Sequence, residues 1–130
     1  MSAAKTNGIA RFFDDFVEAF ATFDGKKVSS LFVTPAVALK RDGTLQGFAD
    51  PREVETYYQA ALDRYRASGC HSCRYSNLEV QIFSGVSAIG TASWDLLHED
   101  GSVVAHWRQA YFLSYIGDNW RAYGSTFVSA

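Results

Sequence analysis

The chain has 130 residues, 48% of them apolar, 20% charged and 15% aromatic, with a formal net charge of −2. That length is one domain, residues 1–130, able to bury roughly two-thirds of its unfolded surface, and so much apolar side chain excludes a disordered chain. Interspersed charges exclude a dedicated nucleic-acid binder, the uncharged stretches are too short or too polar for a membrane span, and Arg11, Asp14, Asp15 and Glu18 stand where a signal peptide needs apolar residues, so a cytoplasmic protein is expected.

From about Lys5 to Phe23, the residues Ile9, Phe12, Phe13, Phe16, Val17, Phe20 and Phe23 recur at steps of three and four, which predicts a long amphipathic helix. Asp24 is placed to cap a second, shorter helix whose Val28, Leu31 and Phe32 continue the pattern until Thr34-Pro35 stops it. Asp42-Gly43, between Val37–Arg41 and Thr44–Gly47, reads as the two-residue turn of a hairpin. Asp50-Pro51-Arg52-Glu53 combines an N-cap, a proline at the first helical position and a capping-box glutamate. It opens a third helix with Val54, Tyr57, Tyr58, Ala61, Leu62 and Tyr65 on one stripe and Gly69 at its end. Four β-rich runs follow, near Arg74–Phe83, Val86–His98, Val103–Ile116 and Asn119–Val128. Ser84-Gly85, Asp100-Gly101 and Gly117-Asp118 separate them. This order predicts an α+β fold with helices covering one face of a curved antiparallel sheet.

The first helix leading to Asp24-Gly25 and Val28-Ser29-Ser30-Leu31-Phe32, the Gly47–Val54 helix entry, and Gly117-Asp118-Asn119-Trp120-Arg121 in the last hairpin carry a family resemblance. From about Ile9 to Phe127 the chain resembles the nuclear-transport-factor-2-like superfamily. The resemblance implies a cone-shaped, curved antiparallel sheet wrapped around N-terminal helices, a pocket inside it, and frequent homodimers. The superfamily includes ketosteroid isomerases, scytalone dehydratase, limonene-epoxide hydrolase, SnoaL-type cyclases and binding-only members, so fold does not stand in for function. A ketosteroid isomerase's catalytic base would fall near Leu39-Lys40, its oxyanion-hole tyrosine at Phe16 and its assisting acid at Gln109 or Ala110, none of which has the required group. The Asp-Arg-Asp set of the epoxide hydrolases is not evident either.

Pairing across Asp100-Gly101, taken as a two-residue loop, sets Glu99 against Ser102, Leu97 against Val104, Asp95 against His106, Trp94 against Trp107 and Ser93 against Arg108. Thr91, Ser93, Asp95, His106 and Arg108 then share one face. The other face collects Ala88, Ala92, Trp94, Leu96, Trp107, Gln109, Tyr111 and Leu113. Continuing through the Gly117-Asp118 turn adds Trp120, Ala122, Gly124 and Thr126 to this aromatic face, and Arg121, Tyr123, Ser125 and Phe127 to the polar one. Asp95 and His106 form the candidate acid/base pair, because a carboxylate beside an imidazole fixes its tautomer and raises its basicity. The competing reading is a cross-strand surface pair. Phe16, Phe20, Tyr57, Tyr58, Trp94, Trp107, Gln109, Tyr111 and Trp120 are the candidate wall of a small-molecule pocket.

Two functions stand side by side: binding of a small apolar or aromatic molecule, or a SnoaL-like lyase, isomerase or cyclase working through Asp95 and His106. Phe112, Tyr123 and Phe127 on the outer face are the expected homodimer surface. Cys70-x-x-Cys73 reads as a redox motif, half a zinc site or two small strand-entry residues; with no second ligand pair, the last is favoured. Scattered histidines, including His71 and His98 near strand ends, give no metal-site spacing. No cofactor is expected.

Overall fold

The computed structural model describes residues 3–130, with residues 3–7 as backbone only; Met1 and Ser2 of the expected 1–130 domain lie outside the described residues. Three helices, α1 (Ala3–Ala21), α2 (Gly25–Ser29) and α3 (Pro51–Ala67), cover a curved six-stranded sheet. Its strands are β1 (Phe32–Leu39), β2 (Leu45–Phe48), β3 (Ser72–Ser84), β4 (Ser87–Leu97), β5 (Val103–Ile116) and β6 (Asn119–Ser129). They lie in the order β2-β1-β6-β5-β4-β3, antiparallel except for β1 against β6. The α+β architecture read from the sequence is the one observed, with one parallel pair inserted. No helix among the described residues is long and apolar enough to cross a membrane.

Ile9, Phe12, Phe13, Phe16 and Phe20 of α1 are all buried and turn toward the concave sheet face. The helix can approach because the inward residues at one end of β4 are Ala88, Gly90 and Ala92. A Cβ at position 90 would lie 2.8 Å from Phe13 Cε2, so the absent side chain is the seat of that ring. Asp24 Oδ1 accepts from Lys26 N at 2.9 Å to cap α2. Gly25 lies so close to α3 that a Cβ would meet Glu55 O at 2.7 Å, and Gly25 N donates to Gln59 Oε1 at 2.7 Å. At the start of α3, Asp50 Oδ1 accepts from Glu53 N at 3.0 Å. Glu53 Oε1 in turn accepts from Ala49 N, one residue before the position of an ordinary capping box. Gly69, at φ 94°, closes the helix as Cys70 N donates to Tyr65 O.

Three local expectations are corrected. The second helix stops at Ser29, and Phe32-Val33-Thr34-Pro35, expected to finish it, begin β1 instead. Aromatic and β-branched residues suit a strand, and Leu31 O accepts from Ala122 N of β6 at 2.9 Å, which draws the segment onto the sheet. Both Asp-Gly turns are three-residue loops. Only Gly43 and Gly101 adopt positive φ, 86° and 88°, while Asp42 and Asp100 spend their carboxylates on the backbone N–H and hydroxyl of Thr44 and Ser102. Leu39 therefore pairs with Leu45, and Leu97 with Val103. A register shift beside Leu96 restores the expected partners Asp95 with His106, Trp94 with Trp107 and Ser93 with Arg108. By contrast, Gly117 and Asp118 both have positive φ, as a two-residue type I′ turn requires.

The third correction lies in β6. The register shifts between Phe112 and Leu113, so that Leu113 pairs with Ala122 but Phe112 pairs with Gly124, leaving Tyr123 as the extra residue of a bulge. Beyond it the faces exchange. Ser125 and Phe127, expected outside, sit opposite Tyr111 and Gln109 on the concave side, and Gly124 and Thr126 move to the convex side.

Candidate functional site

Between α1, α3 and the concave sheet face lies a cavity of about 190 Å³. Phe16 and Phe20 reach it from α1; Tyr57, Tyr58, Ala61, Leu62 and Tyr65 from α3; Cys73, Trp94, Leu96, Trp107, Gln109 and Tyr111 from β3, β4 and β5. Ser125 and Phe127 complete the sheet side by virtue of the β6 bulge. Eight of the nine residues expected to form the wall are therefore brought together. The ninth, Trp120, is buried at another place, 5.2 Å from the Tyr115 ring and against Gly8. It closes a different part of the core.

The rings are held by one another. Phe16 lies 5.3 Å from Trp94, 5.8 Å from Tyr111 and 6.2 Å from Tyr58, in tilted and edge-on arrangements that put ring edges against ring faces. Tyr65 stacks between Phe20 and Trp107 at 6.1 and 6.3 Å. Burial drives the Tyr58 and Tyr111 phenols well above their usual range, and raises Tyr65 and Tyr57 as well. These hydroxyls remain neutral donors at neutral pH. Cys73 is pushed up to about 12 by burial, and Cys70 is raised for the same reason, so both free thiols are poor nucleophiles. The small, buried strand-entry reading describes their packing.

Polar atoms in the cavity are few. Trp107 Nε1 donates to Gln109 Oε1 at 2.8 Å, which occupies the Gln109 carbonyl and leaves its NH₂ without a partner among the described residues. Trp94 Nε1 is buried without a hydrogen bond of good geometry. Ser125, 3% exposed, lines the cavity and adds a hydroxyl to its wall. At the opening stand Lys40 and Arg64, with Arg41 in an adjoining groove that shares Tyr65, Trp107, Gln109 and Phe127. These cations lacked a role in the sequence reading. They occupy a strand end, a turn and a helix C-terminus, where a charge ordinarily just meets solvent.

Asp95 and His106 do meet, His106 Nδ1 lying 2.5 Å from Asp95 Oδ1, and Arg74 Nε approaches Oδ2 at 3.0 Å. The hydrogen bond from His106 holds the Asp95 carboxyl below its usual range, with Arg74 adding to it. Yet this group stands on the convex side, since Trp94 and Trp107, their immediate neighbours in β4 and β5, face the cavity. Arg108 is on the same outer surface, bonded to Asn77 O, Ser93 Oγ and Glu79 Oε1 at 3.0 to 3.1 Å. A proton-transfer role for Asp95 and His106 inside the cone thus has no support in the geometry. Their pairing is that of a cross-strand surface network. Phe127 likewise leaves the outer set, where Phe112 and Tyr123 remain, stacked at 6.1 Å.

Residues 5–129 match the family model described as NTF2-like protein (DUF6841). Among solved structures, a Nostoc punctiforme protein of unknown function with a cystatin-like fold superposes with a TM-score of 0.81 at 14% identity, over 100% of this chain and 94% of that one. Aln2 from a Streptomyces species gives 0.77 at 16% identity, covering 99% and 93%. An NTF2-like protein of unknown function from Shewanella oneidensis gives 0.75 at 14%, covering 95% and 98%. No curated protein matches. At such identities the structural likeness speaks for the fold alone.

Proposed function

The chain belongs to the family of NTF2-like proteins (DUF6841), and on that footing we propose that it binds one small, flat, mainly apolar molecule inside the cone. The observation that carries this reading is the 190 Å³ hollow walled by nine aromatic rings: Phe16, Phe20, Tyr57, Tyr58, Tyr65, Trp94, Trp107, Tyr111 and Phe127. An apolar cavity of about 150 Å³ already holds a benzene-sized guest, so this one suits one or two fused rings. Binding without turnover is favoured over acid/base catalysis because, among the described residues, no carboxylate or imidazole lines the hollow.

The test is calorimetric titration with naphthalene and the neutral 2-naphthamide. Saturable binding of one molecule per chain is expected, with a Kd of the order of 10–100 µM. Ala61→Leu, which projects two extra branches into the space, should abolish it while leaving the circular dichroism unchanged. Absence of saturable binding, or binding indifferent to Ala61→Leu, would overturn the proposal. We further propose that the partner on the convex side is a second copy of the chain, seated on the Phe112 and Tyr123 rings with exposed Val37 beside them. Light scattering at micromolar concentration should give twice 14.4 kDa; a monomer mass refutes it.

A further inference from the structure

The cavity is apolar in its depth and one-signed at its mouth. Among the described residues that line the cavity or the groove adjoining it, every charged side chain is a cation: Lys40, Arg41 and Arg64. The chain as a whole carries a net charge of −2, so this is a local concentration against the overall sign. None of the three has a carboxylate within ion-pair distance; the ion pairs among the described residues involve Arg11, Arg74, His106 and Arg108 instead. Asp42, in the same turn as Arg41, accepts from Thr44 N and Oγ1 at 2.9 and 2.7 Å. Lys40 Nζ rests 5.7 Å from the Tyr57 ring centre, and the Arg41 guanidinium 4.9 Å from that of Phe127. Cation–π attraction thereby holds both cations against rings of the wall, and Lys40 also feels the Asp42 carboxylate, though beyond ion-pair distance. The charges of Arg64 and Arg41 reach the phenol of Tyr65, which they pull downward against burial.

The neutral polar groups agree in sense. With its carbonyl oxygen accepting from Trp107, Gln109 has its NH₂ left to donate, and the Ser125 hydroxyl lines the same cavity. Donors and cations thus line one ring-walled cavity, and the complementary guest has acceptor oxygens and negative charge on a flat apolar body. We propose that the cone takes an aromatic carboxylate, its rings against Phe16, Trp94 and Tyr111 and its carboxylate at Lys40 and Arg64. This rests on the reading of the cone as a binding chamber and adds the chemical class of its occupant.

The experiment compares 2-naphthoate with 2-naphthamide, matched in shape and differing in charge, by calorimetry on the full chain. In 50 mM salt, naphthoate should bind about tenfold more tightly, as a charge-assisted contact at a half-exposed site implies. That advantage should shrink severalfold in 0.5 M salt. Lys40→Met and Arg64→Met should each reduce it and together remove it. Lys40→Arg should retain it, as should Lys26→Met, a change at a cation that lines neither the cavity nor the groove. If neither compound binds saturably, the chamber itself is refuted. Equal affinity for the two compounds leaves the chamber standing and overturns the carboxylate. A preference for naphthoate that survives the double substitution, in protein of unaltered circular dichroism, also overturns it, because the anion would then be held elsewhere.

Discussion

Replacing Gly90 by alanine tests how the first helix is seated. Gly90 faces inward from β4, and an added Cβ would stand 2.8 Å from Phe13 Cε2 and 3.1 Å from Cζ. Ordinary contact begins near 3.4 Å, so the ring must retreat by about 0.6 Å, the difference between 3.4 and 2.8. Phe13 is fully buried, with Phe12, Tyr75, Tyr111 and Trp94 between 5.2 and 6.0 Å from its centre, so no empty direction is open to it. Forcing one methyl into a packed core costs about 1–3 kcal/mol. With an unfolding entropy near 2.1 cal/mol/K per residue, a chain of this length should lose about 4–11 °C in Tm. Gly47→Ala is the control, because nothing lies within 4 Å of its Cβ position. Circular dichroism melts should show Gly90→Ala well below the parent and Gly47→Ala within about 2 °C of it. Phe13→Leu should offset part of the Gly90→Ala loss in a double-mutant cycle. Equal melting of the two alanine variants would refute the close seating.

Alkali should separate the buried phenols from ordinary ones. Tyr57, Tyr58, Tyr65, Tyr75 and Tyr111 all have raised folded-state values, Tyr75 reaching about 12, chiefly through burial. A raised value means the folded state holds its proton more tightly. Their contribution is therefore intact below pH 10 and lost as pH climbs through the folded values, which urea melts at pH 9 and pH 11 will register as a lower midpoint at the higher pH. Tyrosinate absorbance at 295 nm should rise later in native than in denatured protein; coincident curves would contradict the burial. Asp50→Ala removes the oxygen that caps α3 and should cost about 1 kcal/mol, measured by urea denaturation, with Asp50→Ser close to the parent. Equal losses for both would deny the cap its role.

Local grammar made most of this fold legible. Phenylalanines at helical steps, a proline behind a capping aspartate, and a glycine after the last tyrosine of α3 each act within one or two turns of chain, and the sequence displays them directly. Eight of the nine expected wall residues followed from the same periodicities. What escaped depends on partners distant in sequence. Phe32 to Pro35 continue a helical stripe on paper, but a parallel neighbour, β6, recruits them as a strand. An Asp-Gly pair is equally at home in two-residue and three-residue loops, and the choice turned on whether the following Thr or Ser could capture the aspartate. Trp120 carried no mark distinguishing a chamber wall from solid core. Lys40 and Arg64 escaped because a cation's role depends on what it faces.

The extra residue at Tyr123 turns the end of β6 over, so that a serine and a phenylalanine alternate into the chamber where plain counting would have placed a glycine and a threonine. The lining of this hollow is therefore a matter of phase as well as of composition. Two relatives with the same letters after this point, one with the added step and one without, would offer a visiting molecule different walls.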